Sequence, residues 1–193
     1  LSCMDWMVTQ VQAVEKVFES LDASIQQFQD NTTLHCRWGC GKCCFKPDIE
    51  ATILEFLPFA YHIYHQQQAE NWLEKLRQSK DSVCLILNPT SAAAGLCSQY
   101  PHRGLICRLF GYSARTNKYQ EKELVTCAII KTEQSAAYHQ AQIAIQQGWE
   151  VPVMNQYYMQ LHAIDFDLTR EFYPINRALQ LALEKVLHYY AYR

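Results

Sequence analysis

Cys36-Arg37-Trp38-Gly39-Cys40-Gly41-Lys42-Cys43-Cys44 places four thiols within nine residues. Cysteine packs well as a small hydrophobe, but the buried cysteines of a core do not gather at turn-length spacing beside Gly and Lys. A Cys-x-x-Cys turn instead aims two sulfurs at one point, as a soft metal ion requires. The spacing of Cys36, Cys40 and Cys43 predicts that these three share one site, completed by a sulfur from downstream. Neighbouring side chains usually diverge. Cys44 is therefore expected to join a second site or to pack behind the first, not to ligate the same mononuclear zinc as Cys43.

Outward from this stretch, four more cysteines follow at Cys84, Cys97, Cys107 and Cys127, with Cys3 as the ninth. The chain has 193 residues, 49% of them hydrophobic, enough for one buried core without disulfide staples. The start at Leu1-Ser2-Cys3-Met4-Asp5 has no basic, apolar secretion signal and no initiator Met, which points to a trimmed natural start. Reduced thiols in a cytoplasmic protein are expected, and the odd cysteine count also argues against a disulfide framework. A formal charge of −2 without a long basic run argues against nucleic-acid binding. No apolar run reaches the roughly 18 residues needed to cross a bilayer.

The pattern reads as a mainly α fold, a single helical domain over 1–193 with little β structure. Residues 30–130 form its irregular, cysteine-rich metal-binding section, and 1–29 and 131–193 are flanking helices. In the first helix, over 4–29, Met7, Val11, Val14, Phe18, Leu21, Ile25 and Phe28 recur at four- and three-residue steps and line one stripe. Such a stripe suits a helix packed on its own domain, and it is also compatible with a coiled-coil dimer. Further helices are expected over 49–67, kinked at Pro58, and over 70–78, 132–147 and 152–166, the 132–147 helix stopping at Gly148. A last one begins near Pro174 with Ile175, Leu179, Ala182, Leu183, Val186 and Tyr190 on its buried face. Val83 to Leu87 reads as a strand. The stretch 88–126 is rich in turn formers and should order poorly unless metal crosslinks it.

The cysteine pattern, with Cys107-Arg108-x-Phe110 and the segment Tyr100-Pro101-His102-Arg103-Gly104-Leu105-Ile106-Cys107-Arg108, resembles the YkgJ-type cysteine-cluster family, known as a zinc- or iron-chelating domain. Gly104 stands where that family usually has Pro. The resemblance covers roughly residues 36–130. It implies a metal-ligand set of Cys36, Cys40, Cys43, Cys44, Cys84, Cys97, Cys107 and Cys127, leaving Cys3 unmatched. It is this pattern that raises Cys84, set in the apolar run Val83–Leu87, above an ordinary buried cysteine. The family is also distantly similar to flagellin lysine methylase, a longer protein associated with an iron–sulfur centre and methyl transfer. That similarity favours iron–sulfur over zinc.

Eight thiolates suffice for two four-coordinate zinc sites or for a [4Fe–4S] cluster with sulfurs to spare. Arg37, Lys42, Lys46, Arg103 and Arg108 could offset the charge of either, and Arg108, beside Cys107, is the strongest candidate to support a ligand. The Cys36-x3-Cys40-x2-Cys43 spacing also matches radical S-adenosylmethionine enzymes, but the alternating strand–helix units of their barrel are missing. His62 and His65, at i and i+3 on a helix, and His35 and His102 beside the cysteine segments are weaker ligand candidates. The expected function is a cysteine-ligated metal-binding protein of unassigned role. The alternatives are an iron–sulfur enzyme of methyl transfer or redox chemistry, and a zinc module for structure or storage.

Overall fold

The computed structural model describes residues 5–37, 39–91 and 94–192, so Cys3 and Trp38 lie outside the described residues. In chain order the helices and strands are α1 (Trp6–Thr32), β1 (Glu50–Ala51), α2 (Leu57–His65), α3 (Ala69–Gln78), β2 (Leu87–Ser91), β3 (Ala94–Cys97) and α4 (Leu105–Leu109). There follow β4 (Ser113–Thr116), β5 (Lys122–Val125), α5 (Ala128–Glu133), α6 (Ser135–Gln146), α7 (Met154–Ile164), β6 (Tyr173–Pro174) and α8 (Ile175–Ala191). Three short 3-10 turns lie at Lys42–Phe45, Leu54–Phe56 and Tyr100–His102. The strands form only two-stranded antiparallel sheets, β1 with β6, β2 with β3 and β4 with β5. The fold is mainly α, as the hydrophobic periodicity predicts. No helix among the described residues is long and apolar enough to cross a membrane.

Asp5 caps α1, its carboxylate accepting the backbone N–H of Met7 at 2.9 Å. All seven apolar stripe positions of this helix, from Met7 to Phe28, are buried within the chain. In α8 the expected face is buried at Ile175, Leu179, Ala182, Leu183 and Val186, while Tyr190 is half-buried.

By its internal contacts the chain divides into two compact units. The first comprises Leu1–Lys16, Gly39–Gly104 and Leu161–Arg193, and the second Val17–Trp38 and Leu105–Gln160. In the first unit α2 and α3 pack on α8, and β1 and β6 tie the approaches to α2 and α8 together through Ile175 N–H, which donates to the Ile49 carbonyl at 2.9 Å. Tyr64 of α2 stacks on Tyr190 of α8 at 4.7 Å, and Phe59 meets Trp72 edge-on at 5.5 Å.

The second unit is built on Phe28, Leu34, Ala114, Leu124, Ile130, Ala141, Ile145 and Val151. The amide of Gln142 on α6 clips β5 from both sides, accepting from Leu124 N–H at 3.1 Å and donating to the Lys122 carbonyl at 3.0 Å. Ala114 N–H donates to the Pro152 carbonyl at 2.7 Å, which brings the segment before α7 alongside β4.

Four local expectations need correction. Pro58 does not kink a helix over 49–67. It lies in the first turn of α2, where its missing N–H has no helical partner to lose, and the residues before it form β1 and a 3-10 turn. Val83 to Leu87 is not a strand, because Asn176 on α8 captures its backbone. The Asn176 amide accepts from Leu85 N–H at 2.9 Å and donates to the carbonyls of Asp81 at 2.9 Å and Val83 at 2.8 Å. Pairing starts only at Leu87, whose N–H closes a turn onto the Cys84 carbonyl.

The helix expected over 132–147 begins earlier and breaks at Gln134, giving α5 and α6. The Gln134 side chain is drawn to the backbone of His35, accepting its N–H at 3.1 Å and donating to its carbonyl at 2.7 Å. The stop at Gly148 holds, at φ +99. Finally, 88–126 is more regular than its turn formers suggest. Two hairpins and α4 give its backbone a hydrogen-bonded frame of its own.

Candidate metal centre

The first unit carries Cys40, Cys43, Cys44, Cys84 and Cys97, and the second carries Cys36, Cys107 and Cys127. The eight described cysteines form no disulfide. In the first unit Gly39 and Gly41 adopt left-handed backbone, at φ +70 and +56, which no branched side chain would accept readily. The chain can therefore double back into the 3-10 turn Lys42–Phe45, closed by Cys44 N–H donating to the Gly41 carbonyl at 2.8 Å. On this turn Cys43 and Cys44 do not diverge. Their Sγ atoms are 4.0 Å apart.

Strand β3 packs against the same turn and ends in Cys97. Cys97 pairs with Leu87 across the hairpin, so Cys84, three residues before Leu87, sits at the hairpin's open end. The Asn176 amide holds that end in place, and Cys84 is only 8% exposed.

The electrostatics of the three thiols follow this placement. Cys43 is pulled down to about 6, first by the hydrogen bond from the Cys44 thiol, with backbone N–H groups and the Arg103 charge assisting against desolvation. Cys84 is pushed up to about 11, chiefly by burial, and negative charge on Cys97 or Cys43 would push it further. Cys97 is also raised, by burial first, with the Gln99 N–H and Arg103 working the other way. Cys84 thus feels charge on Cys97 and Cys43, and Cys97 feels charge on Cys43, a repulsion that a bound cation relieves.

Among the described residues no three Cys, His, Asp or Glu side chains already surround one point as finished ligands. The donor chemistry nevertheless fits a soft metal. Two sulfurs bound at about 2.3 Å to one tetrahedral ion lie about 3.8 Å apart, close to the 4.0 Å between Cys43 and Cys44. Turning a cysteine between staggered rotamers moves its sulfur by about 3 Å without disturbing the backbone.

In the second unit Cys36 N–H donates to the Tyr112 hydroxyl at 2.5 Å, and Arg37 pairs with Glu133 at 2.8 Å. Cys127 caps α5, its sulfur accepting the Ile130 N–H at 3.4 Å. Cys107 lies in α4. Next to it Arg108 is 6% exposed, paired with Asp22 and stacked over Phe18 at 4.5 Å. These contacts give Arg108 a packing role, fastening α4 to α1.

The histidines do not form the pairs that their spacing offered. His62 stacks on His102, ring centroids 3.9 Å apart, and its Nε2 is 2.8 Å from the Gln66 side-chain nitrogen, while His65 packs on Tyr61 at 4.3 Å. His35 donates from Nδ1 to the Thr33 carbonyl at 2.9 Å. Three positioning residues had no sequence signal at all: Asn176, Gln134 and Tyr112. Each acts across more than 75 residues of chain, on Leu85, His35 and Cys36 respectively.

Residues 35–128 match the model of the CxxCxxCC family, described as a "putative zinc- or iron-chelating domain". All eight described cysteines lie inside the match. Similarity to flagellin lysine methylase is not shown. No curated protein and no solved structure matches the chain at a significant level.

Proposed function

We propose that this chain is a thiolate metal protein whose CxxCxxCC segment holds zinc or iron as a binding module. The family match supports metal chelation, and the single observation that carries the mode is the 4.0 Å separation of the Cys43 and Cys44 sulfurs. Two thiolates this close suit one tetrahedral ion, zinc or a single iron. The metal would supply charge neutralisation and a crosslink between the 3-10 turn and the β2–β3 hairpin, whose thiols otherwise repel one another as they ionise. Arg103 adds positive charge on the Cys43 and Cys97 side.

A second reading, a [4Fe–4S] cluster and with it redox or methyl-transfer chemistry, draws on the number of thiols. Among the described residues the first unit has five, one more than a single tetrahedral ion can use. Anaerobic purification followed by elemental analysis and absorption spectroscopy separates the two. Zinc, or one iron per chain without inorganic sulfide, supports the single-ion module. About four irons with equivalent sulfide supports the cluster. Protein that takes up neither metal refutes both.

A further inference from the structure

We propose that a pocket in the second unit, walled by α1, β5 and the segment entering α7, binds a small zwitterion, a molecule with one carboxylate and one ammonium group. The pocket has a volume of about 290 Å³ and its walls include Ser24, Lys122, Glu150, Val153, Gln156 and Tyr157. That volume is near the lower end of the range for small-molecule sites. No cysteine lines it, so the inference stands independently of the metal reading.

Charge is the first observation that carries it. Lys122 and Glu150 both line the pocket, yet neither forms an ion pair with the other or with any other described residue. Opposite charges that share a pocket without meeting leave room for a ligand between them. A carboxylate facing Lys122 and an ammonium facing Glu150 would each form a charge-assisted hydrogen bond, whereas a ligand with a single charge would answer only one of the two. The other walls are mostly polar, and Val153 is only 5% exposed, so little apolar surface is offered to a large side chain. The ligand is therefore small.

The second observation is that the walls are already held. The Lys122 carbonyl accepts from the side-chain amides of Gln142 at 3.0 Å and Gln146 at 2.9 Å, which pins β5 to α6. The Pro152 carbonyl accepts from Ala114 N–H and Val153 bridges to Ala114, which anchors the segment after Glu150 on β4. The Tyr157 hydroxyl donates to Ser24 Oγ at 3.3 Å and joins α7 to α1. A site standing in place before its ligand arrives pays less to order itself on binding.

Ligand-observed NMR and calorimetry of the full chain with glycine, β-alanine and γ-aminobutyrate, whose two charges are set progressively further apart, test this. At least one should bind at millimolar concentration. Its amide, lacking the carboxylate, and its N-acetyl form, lacking the ammonium, should each bind about tenfold more weakly. Lys122→Gln should abolish the penalty for the amide and keep that for the N-acetyl form, and Glu150→Gln should do the reverse. It is the backbone of Lys122 that holds α6, so its side chain can be replaced without loosening β5, and circular dichroism confirms that each variant is folded. Binding of none of the three compounds, or a penalty that persists in its matching variant, overturns the proposal.

Discussion

The sulfur of Cys43 lies 4.0 Å from the sulfur of Cys44, two consecutive residues facing one way. Consecutive side chains on extended backbone point to opposite faces, whereas on a 3-10 turn they stand about 120° apart around its axis, near enough for two sulfurs to meet. The two sulfurs are thereby placed for a common ion. Replacing Cys44 by Ser should cost as much bound metal as replacing Cys43. Metal analysis of the two variants side by side checks this, and a Cys44→Ser protein that keeps its full complement would restore the divided roles expected from adjacency.

Thiol reactivity in metal-free protein should follow the local electrostatics. Cys43, exposed and held at about 6 against an ordinary 9.0, is largely thiolate at neutral pH and loses that form only as the pH falls through about 6. Cys84, raised to about 11 and buried, stays protonated throughout. Iodoacetamide mapped by mass spectrometry between pH 5 and 9 should label Cys43 first, with a rate rising to a plateau above about pH 7. Cys84 should be labelled last. Equal labelling of the two at pH 7 would contradict this ordering.

Asn176 fastens the loop that carries Cys84, with three hydrogen bonds to backbone. Asn176→Leu removes them and leaves the backbone groups of residues 81–85 to compete for water. At about 1 kcal/mol for each bond, the urea midpoint should fall by an amount equivalent to about 2–3 kcal/mol. Metal affinity should drop with it, while far-ultraviolet circular dichroism stays near that of the unaltered chain.

Gly104 stands in a close approach that leaves no room for a side chain. A Cβ there would meet Phe56 Cζ at 2.8 Å and Cε1 at 2.9 Å, and Glu55 Oε2 at 3.0 Å. Phe56 is buried and cannot swing aside cheaply. Gly104→Ala should destabilise the protein by about 1–3 kcal/mol through overpacking, measured by denaturant unfolding. The double variant with Phe56→Leu should recover part of that loss.

Arg108 offers a contrast with the residues at the metal centre. Buried against Phe18 and paired with Asp22, it fixes packing inside the second unit. Arg108→Gln should lower stability by about 1–3 kcal/mol by leaving a polar group buried with its charge pair gone. Metal content should remain that of the unaltered chain. A selective loss of metal without loss of stability would return Arg108 to the ligand shell.

The helical character, the buried stripe of α1, the buried face of α8 and the stop at Gly148 were all legible in the sequence, because they depend on periodicity and on backbone preferences that act within a few residues. So was the thiol chemistry, since eight cysteines inside 35–128 form a family pattern whatever their placement in space. The breaks at Gln134 and over residues 83–87 were not. There a side chain from a distant part of the sequence takes backbone hydrogen bonds that local propensity would have spent on helix or strand, and nothing near the break records it. Only tertiary structure sets Cys43 and Cys44 side by side on one turn and brings Cys84 and Cys97 to the same hairpin end, because a glycine's left-handed turn and a strand register decide where a sulfur points, and sequence distance does not.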